Sequence, residues 1–157
     1  MPQPDRQEPR FSADDALFAE RMGAPAPLDI LKRVYGYSAF RGKQQQVVEH
    51  VVAGGDAVVL FPTGAGKSLC FQIPALCRDG IGIVVSPLIA LMRDQVEAMK
   101  QLGIRAAALN SSLSREEASD VYRAISAGKL DLLYVTPERI VTEGFCQMLG
   151  RAKIALF

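Results

Sequence analysis

Five short apolar runs recur along the chain, and segments with helical spacing separate them. The runs are AVVLF (57–61), IGIVVS (81–86), IRAAAL (104–109), DLLYVT (131–136) and KIALF (153–157). Continuous apolar runs, as opposed to alternating ones, are typical of strands buried on both faces of a parallel sheet. The pattern therefore predicts an α/β fold in which helices cover both faces of a parallel sheet.

Start and stop signals bound the helices between these runs. The spacing predicts helices over 29–34 and 43–52, one from Lys67, one from about 88 to Gly103, one from Ser114 to about Ser126 and one begun by Pro137. Ser114 and Glu117 have the spacing of a capping box. On these helices Cys70 and Cys77 are predicted to pack in the core, and His50 is predicted to be partly buried.

Composition favours a globular protein over a membrane-spanning or zinc-binding one. A length of 157 residues corresponds to roughly one domain. With 49% hydrophobic and 22% charged residues, the chain is typical of a globular protein, and a net charge of +1 by itself implies no partner. The N-terminal residues are not expected to be a targeting segment, no apolar run approaches membrane length, and three cysteines with one histidine favour free thiols over zinc. These features predict a cytoplasmic protein without a membrane partner.

Residues 1–27 are rich in proline and are predicted to be a mobile N-terminal extension. Within this extension, Ser12 and Asp15 have the spacing to cap a short helix. The alternation of strands and helices begins at Leu28, so the folded domain is expected to cover residues 28–157. Because the last apolar run stops at Phe157, we also expect the domain to be incomplete.

The segment FPTGAGKS (61–68) lies where a predicted strand turns into a predicted helix, which is the context of a phosphate-binding loop. Gly64 and Gly66 allow the backbone N–H groups to turn inward, and the helix N-terminus favours negative charge. Lys67 would reach the β and γ phosphates, and the Ser68 hydroxyl would ligate Mg²⁺. The strict pattern begins with glycine, where this chain has Phe61.

Upstream of this loop, residues 35–46 are dense in groups that could recognise a base. The Gln44 amide offers a donor and an acceptor, which complement adenine and not guanine. Tyr37 or Phe40 could stack on the base, and Arg41 could add a planar cationic face. Equally, such aromatic residues often fill a core, and a run of glutamines often faces solvent.

Four ordered segments resemble the N-terminal part of a RecQ-type ATP-dependent DNA helicase. They are YGYSAFRGKQ (35–44), FPTGAGKSLCFQIPAL (61–76), SPLIALMRDQ (86–95) and LLYVTPERI (132–140). The resemblance covers about residues 28–157, and four motifs in order are far more specific than any one of them. It implies a RecA-like P-loop NTPase lobe, here incomplete.

The resemblance also implies a site for ATP and Mg²⁺. The stacking aromatic residue would be Tyr37, and Arg41 and Gln44 would grip the base. This chain has Arg-Gly-Lys-Gln where the family commonly has Arg-Pro-Gly-Gln, so the turn at Gly42 differs. The implied phosphate and metal residues, of which Lys67 and Ser68 are catalytic and Ser68 is the metal ligand, are Thr63, Gly64, Ala65, Gly66, Lys67 and Ser68.

A second implied site binds single-stranded DNA. The third and fourth motifs begin at the carboxyl ends of predicted strands, where open α/β sheets place their ligands. A hydroxyl and backbone N–H groups at such an end can hold a DNA phosphate. The implied contact residues are Ser86, Pro87, Arg93, Gln95, Thr136, Pro137 and Glu138. For Arg93 a merely solvated position is an equal alternative, and Pro137 could simply begin a helix.

For the whole protein, the resemblance implies an ATP-driven DNA helicase of repair and recombination that moves 3′ to 5′. The family's Asp-Glu-x-His motif would follow KIALF, and a second RecA-like lobe would supply an arginine finger. We therefore expect this chain alone to bind ATP weakly and to unwind little DNA. The alternatives are a DEAD-box RNA helicase, which typically has Pro-Thr-Arg-Glu-Leu in place of SPLIALMRDQ, and a self-contained P-loop nucleotide-binding module.

Overall fold

The computed structural model describes residues 24–157. Its helices are α1 (Pro27–Arg33), α2 (Gln44–Val52), α3 (Leu69–Cys77), α4 (Ile89–Gln101), α5 (Arg115–Ser126), α6 (Pro137–Ile140) and α7 (Glu143–Leu149). Its strands are β1 (Ile81–Val85), β2 (Ala106–Leu109), β3 (Leu132–Val135) and β4 (Ile154–Leu156). The predicted cap at Ser12 and Asp15 and most of the predicted N-terminal extension lie outside the described residues.

The four strands form one parallel sheet in the order β2-β3-β1-β4. β1 and β3 lie side by side in register, with Val85 opposite Val135. Successive residues of β3 point to opposite faces and pack in different clusters: Leu132 and Tyr134 in one, Leu133 and Val135 in the other. The first cluster contains residues of α1 to α4, and the second contains residues of α5 to α7. A parallel sheet covered on both faces is therefore confirmed.

Residues 57–61 are not a strand, so the prediction of a buried strand over AVVLF is wrong. The side chains of Val58 and Leu60 are 92% and 91% exposed. Within the described residues, no backbone hydrogen bond involves positions 57–61. Apolar periodicity indicates that a segment prefers burial, but a strand also needs a neighbour for its backbone groups.

The structure also tests the predictions for the capping box, the two helix cysteines and His50. Ser114 and Glu117 form the predicted capping box, with Glu117 N donating to Ser114 Oγ and Ser114 N donating to Glu117 Oε2. Cys70 and Cys77 are buried free thiols, as predicted. The prediction for His50 is wrong: its side chain is exposed, and Nε2 lies 2.8 Å from the carbonyl oxygen of Asp56.

Helix α3 runs antiparallel to the strands. Near its C-terminus, Ala75 lies against Gly82 of β1, and Leu132 of β3 is close to the same point. One turn earlier, Gln72 Nε2 donates to the hydroxyl of Tyr134, two residues further along β3. Moving back along α3 therefore corresponds to moving forward along β3. The N-terminus of α3, and the loop that precedes it, lie toward the carboxyl edge of the sheet, where α/β proteins place their ligands.

Within residues 24–157, no helix is both long enough and apolar enough to cross a membrane.

Candidate nucleotide-binding site

The loop before α3 has the backbone geometry that its glycines predict. Gly64 and Gly66 have φ angles of 80° and 74°, a region that residues with a Cβ rarely adopt. Ala65 N donates to Pro62 O at 3.1 Å, which closes the first turn of the loop. The two left-handed glycines thus bend the chain just before the helix begins.

This loop presents free backbone donors. In the part of the chain that the structure describes, the N–H groups of Gly66, Lys67 and Ser68 enter no hydrogen bond. The Lys67 side chain is exposed, and Ser68 is half-buried at the N-terminal end of α3. Three unpaired N–H groups, one ammonium and a helix N-terminus fit the charge and the oxygen atoms of a polyphosphate.

A pocket beside the loop joins the first two motifs. Tyr37 is 50% exposed, and the guanidinium carbon of Arg41 lies 6.0 Å from its ring centroid. Phe40, the other stacking candidate, packs against the core and leaves Tyr37 as the available ring. The residues that line the pocket are Leu31, Tyr37, Ala39, Arg41, Gln44, Gly64, Ala65, Gly66 and Leu69.

Three of these lining residues, Leu31, Ala39 and Leu69, were not among the predicted site residues. Leu31 comes from α1 and is fully buried, and Leu69 is the first residue of α3. Apolar periodicity marks Leu31 and Leu69 as packing residues, and only the fold shows that they line this pocket together with Ala39. Apolar side chains in the same pocket as a half-exposed tyrosine suit the faces of a nucleobase.

Gln44 lies between the pocket and the phosphate-binding loop. Its side chain is 3% exposed. The Nε2 group donates to the carbonyl oxygens of Ala65 and Gly66, at 3.2 and 3.1 Å. The Oε1 atom accepts from Arg41 N at 2.8 Å. By contrast, the neighbouring Gln45 is exposed and donates to Glu49 on the surface of α2.

Metal ligands are fewer than phosphate ligands. Among residues 24–157, no cluster of three or more His, Cys, Asp or Glu side chains is placed to hold a metal ion. The Ser68 hydroxyl is the oxygen that the phosphate-binding loop itself offers. Since Mg²⁺ commonly keeps several waters and is held by one or two protein oxygens together with substrate phosphates, this loop fits a metal that arrives with ATP.

The strand ends place the third and fourth motifs, which carry the predicted DNA residues, next to each other. Ser86 N donates to Val135 O at 3.0 Å, and Thr136 N donates to Leu109 O at 3.3 Å. Residues 86, 136 and 110 therefore follow three neighbouring strands at one edge of the sheet. Asn110, which the sequence analysis did not single out, is buried and accepts from Ser112 through Oδ1. Its position directly after a predicted strand was the signal that could have found it.

The predicted DNA residues differ in accessibility. Pro87, Arg93 and Glu138 are exposed, and Ser86, Gln95 and Pro137 are half-buried. Ser86 Oγ accepts from Leu88 N at 3.3 Å. Thr136 is buried at the start of α6, so its side chain is less accessible than the others.

A buried polar chain ties α3 to the rest of this face. Tyr35 donates through its hydroxyl to Gln72 Oε1 at 3.1 Å, and Gln72 Nε2 donates to the Tyr134 hydroxyl. Burial raises the pKa of Tyr35, with smaller contributions from Tyr134 and Cys77, and burial also raises the pKa of the Cys77 thiol to about 11. These groups stay neutral at physiological pH, so the chain is a structural network and not an acid or base.

Similarity to known proteins extends over most of this fold. A family described as DEAD/DEAH box helicase matches residues 41–152. The chain is 45% identical over 141 residues to an ATP-dependent DNA helicase RecQ of Haemophilus influenzae. It is 41% identical over 128 residues to an ATP-dependent DNA helicase RecQ of Synechocystis and 40% identical over 139 residues to an ATP-dependent DNA helicase Q-like 5 of Arabidopsis thaliana.

These matches cover 90%, 82% and 87% of this chain but only 23%, 27% and 15% of the three relatives. The chain thus spans about a quarter or less of their length. The resemblance to RecQ-type helicases that its four motifs indicate is confirmed. From the family match and these relatives, the chain belongs to the DEAD/DEAH box helicases, and its similarity is to their RecQ-type members.

Proposed function

We propose that this chain is the nucleotide-binding part of an ATP-dependent DNA helicase, the first RecA-like lobe of a two-lobed enzyme. The observation that carries the proposal is the junction of two motifs. Tyr37, Arg41 and Gln44 line one pocket with Gly64, Ala65 and Gly66, so that a base and a phosphate site are adjacent. The names of the relatives support DNA as the nucleic acid.

In this proposal each group of the site has its own task. The base stacks on Tyr37, and the Arg41 guanidinium, which lies 6.0 Å from the centroid of that ring, holds the base beside it. The N–H groups of Gly66, Lys67 and Ser68 hold phosphate oxygens, and the Lys67 ammonium lies at the outer phosphates. Mg²⁺, held in part by Ser68, supplies neutralisation of phosphate charge. Efficient hydrolysis would also need acidic residues and an arginine finger from elsewhere in the helicase.

The test is a titration of labelled ATP with Mg²⁺ against the wild-type chain and Lys67→Ala. We expect the substitution to weaken binding at least about tenfold, because it removes the charge aimed at the outer phosphates. Lys100→Ala is the matched control, since Lys100 is an exposed lysine in the last turn of α4. Equal affinities of wild type and Lys67→Ala would remove the proposal.

The proposed DNA surface lies on the same edge of the sheet. Its two proposed phosphate contacts are Ser86, half-buried at the end of β1, and Arg93, exposed on α4. In this account Ser86 and the adjacent backbone hold a phosphate of the single strand, and Arg93 adds a second charge contact. These contacts are independent of base sequence, which suits a motor that moves along DNA of any sequence.

Its test measures the affinity for a single-stranded oligonucleotide as a function of salt. Arg93→Ala should weaken binding and lower the slope of log K against log salt by about 0.7, the value for one phosphate contact on a single strand. Arg151→Ala, an exposed arginine between α7 and β4 at the opposite edge of the sheet, is the control and should leave the slope unchanged. An unchanged slope for Arg93→Ala would contradict the assignment of this residue.

A further inference from the structure

A buried glutamine lies in the middle of helix α3, whose other residues are all apolar. Gln72 is 3% exposed. Burying an amide is costly unless its polar atoms find partners, and both the oxygen and the nitrogen of Gln72 have one. Its Oε1 accepts from the Tyr35 hydroxyl at 3.1 Å, and its Nε2 donates to the Tyr134 hydroxyl at 3.4 Å. The amide therefore joins α3 to two tyrosines from distant segments of the chain.

One end of this chain of hydrogen bonds lies next to the proposed nucleotide site. Tyr35 comes two residues before Tyr37, which lines the base pocket. Gln72 lies one helical turn after Ser68, and Gln72 N donates to Ser68 O at 3.0 Å. The hydrogen bond between Tyr35 and Gln72 thus ties the segment of the base pocket to the helix that follows the phosphate-binding loop.

The other end lies next to the proposed DNA surface. Tyr134 is 1% exposed in β3 and comes two residues before Thr136. The residue between them, Val135, accepts from Ser86 N through its carbonyl oxygen. The end of β3 therefore holds the start of the third motif as well as the start of its own. A displacement of Tyr134 reaches both parts of the proposed DNA surface.

Hydrogen bonds fix this link more tightly than apolar packing does. Apolar side chains tolerate a small slide of one element over another, whereas an amide between two hydroxyls loses a bond in either direction. Burial raises the pKa of Tyr35 and of Tyr134, so both hydroxyls stay protonated and the bonds persist across physiological pH. A shift of α3 along the sheet therefore either breaks the chain of hydrogen bonds or carries β3 with it.

We infer that Gln72 is a positioning residue that couples the two proposed sites: it holds α3 against β3, so that a nucleotide bound at the start of α3 changes the affinity for DNA at the end of β3. Tyr35 and Tyr134 anchor its amide on either side. Because coupling between two binding sites is reciprocal, DNA at the strand ends changes the affinity for the nucleotide by the same factor. The inference rests on the proposed function, since it assumes a nucleotide at the loop and single-stranded DNA at the strand ends.

The test measures the affinity of the whole chain for a single-stranded oligonucleotide, with and without a saturating ATP analogue that resists hydrolysis, AMP-PNP with Mg²⁺. The ratio of the two affinities is compared between the wild-type chain and Gln72→Met, which keeps a side chain of similar length but has no amide. Gln147→Met, the same change at an exposed position of α7, is the matched control. Binding of AMP-PNP alone and thermal unfolding are measured for each chain.

For the wild-type chain we expect AMP-PNP to change the oligonucleotide affinity at least about fivefold, the lower end of typical couplings between sites. Gln72→Met should bring this ratio close to one while the chain still binds each ligand on its own, and Gln147→Met should keep the wild-type ratio. In an NMR titration, AMP-PNP should shift the amide signal of Thr136 in the wild-type chain and leave it nearly unmoved in Gln72→Met.

A ratio of one in the wild-type chain overturns the inference. A Gln72→Met chain that is only less stable, with both affinities lowered and their ratio kept, overturns it too, because a purely structural role predicts that result. Should Gln72→Met fail to fold, Tyr35→Phe removes one hydroxyl from a half-buried ring, and Tyr122→Phe, in the cluster on the other face of the sheet, is its control. An unchanged ratio in a folded Tyr35→Phe chain overturns the inference as well.

Failure of the inference and failure of the proposed function give different results. A wild-type chain that does not bind AMP-PNP contradicts the proposed function, and the inference falls with it. Normal binding of both ligands without coupling between them contradicts only the role of Gln72.

Discussion

Gly82 is a residue at which a single missing carbon decides how closely two elements pack. It lies in β1 under helix α3, and a Cβ at this position would come 2.8 Å from the Cβ of Ala75 and 3.1 Å from Leu132 Cδ2. Contacts this short force the helix or the neighbouring strand to shift. Since α3 begins at the phosphate-binding loop, the packing at Gly82 also sets the position of that loop over the sheet.

We therefore predict that Gly82→Ala lowers the free energy of unfolding by about 1–3 kcal/mol, the range for overpacking a core. Urea unfolding followed by circular dichroism measures it. The control is Gly144→Ala in α7, where a Cβ meets nothing within 4 Å and alanine has the higher helix propensity. A Gly82→Ala chain as stable as wild type would show that α3 does not pack on β1 in this way.

Single residues also show where sequence reasoning ends. The left-handed turns at Gly64 and Gly66 and the burial of Cys70 and Cys77 follow from local chemistry, and they were predicted. The partners of the Gln44 amide did not follow in the same way. They lie 21 and 22 positions away, and whether an amide meets a base or a backbone carbonyl depends on how α2 and α3 pack.

At the level of elements, strong local signals were sufficient to predict helices and strands after residue 80. The predicted helices and strands after residue 80 are present within about two residues of their predicted bounds, because capping residues and glycines mark their ends. The capping box of α5 is the clearest case. Continuous apolar runs predicted β1, β2, β3 and β4 correctly.

The run at 57–61 shows the limit of the same rule. It has the composition of the other strands, yet Val58 and Leu60 are exposed and the backbone of the run is unpaired within the described residues. A strand depends on a partner that the run itself does not specify. Strand propensity belongs to one segment, whereas pairing within a sheet depends on several segments together.

At the level of the whole molecule, the parallel sheet gathers distant motifs at one edge. The antiparallel course of α3 brings the phosphate-binding loop toward the carboxyl ends of the strands, where Ser86 and Thr136 follow neighbouring strands. The sequence predicted this edge because parallel strands end together. The junction of Tyr37 and Arg41 with the loop needed the fold, since it depends on how α1 and α2 pack against α3.

The central claim is that ATP binds across this junction. The most direct measurement follows backbone amide NMR signals of the chain while ATP and Mg²⁺ are added. We predict shifts at Tyr37, Arg41 and residues 64–68, and none at Tyr122 and Met148, which line a groove formed by α5, α7 and the residues just after α7. No shifts at saturating ATP, or shifts confined to that groove, would contradict the account.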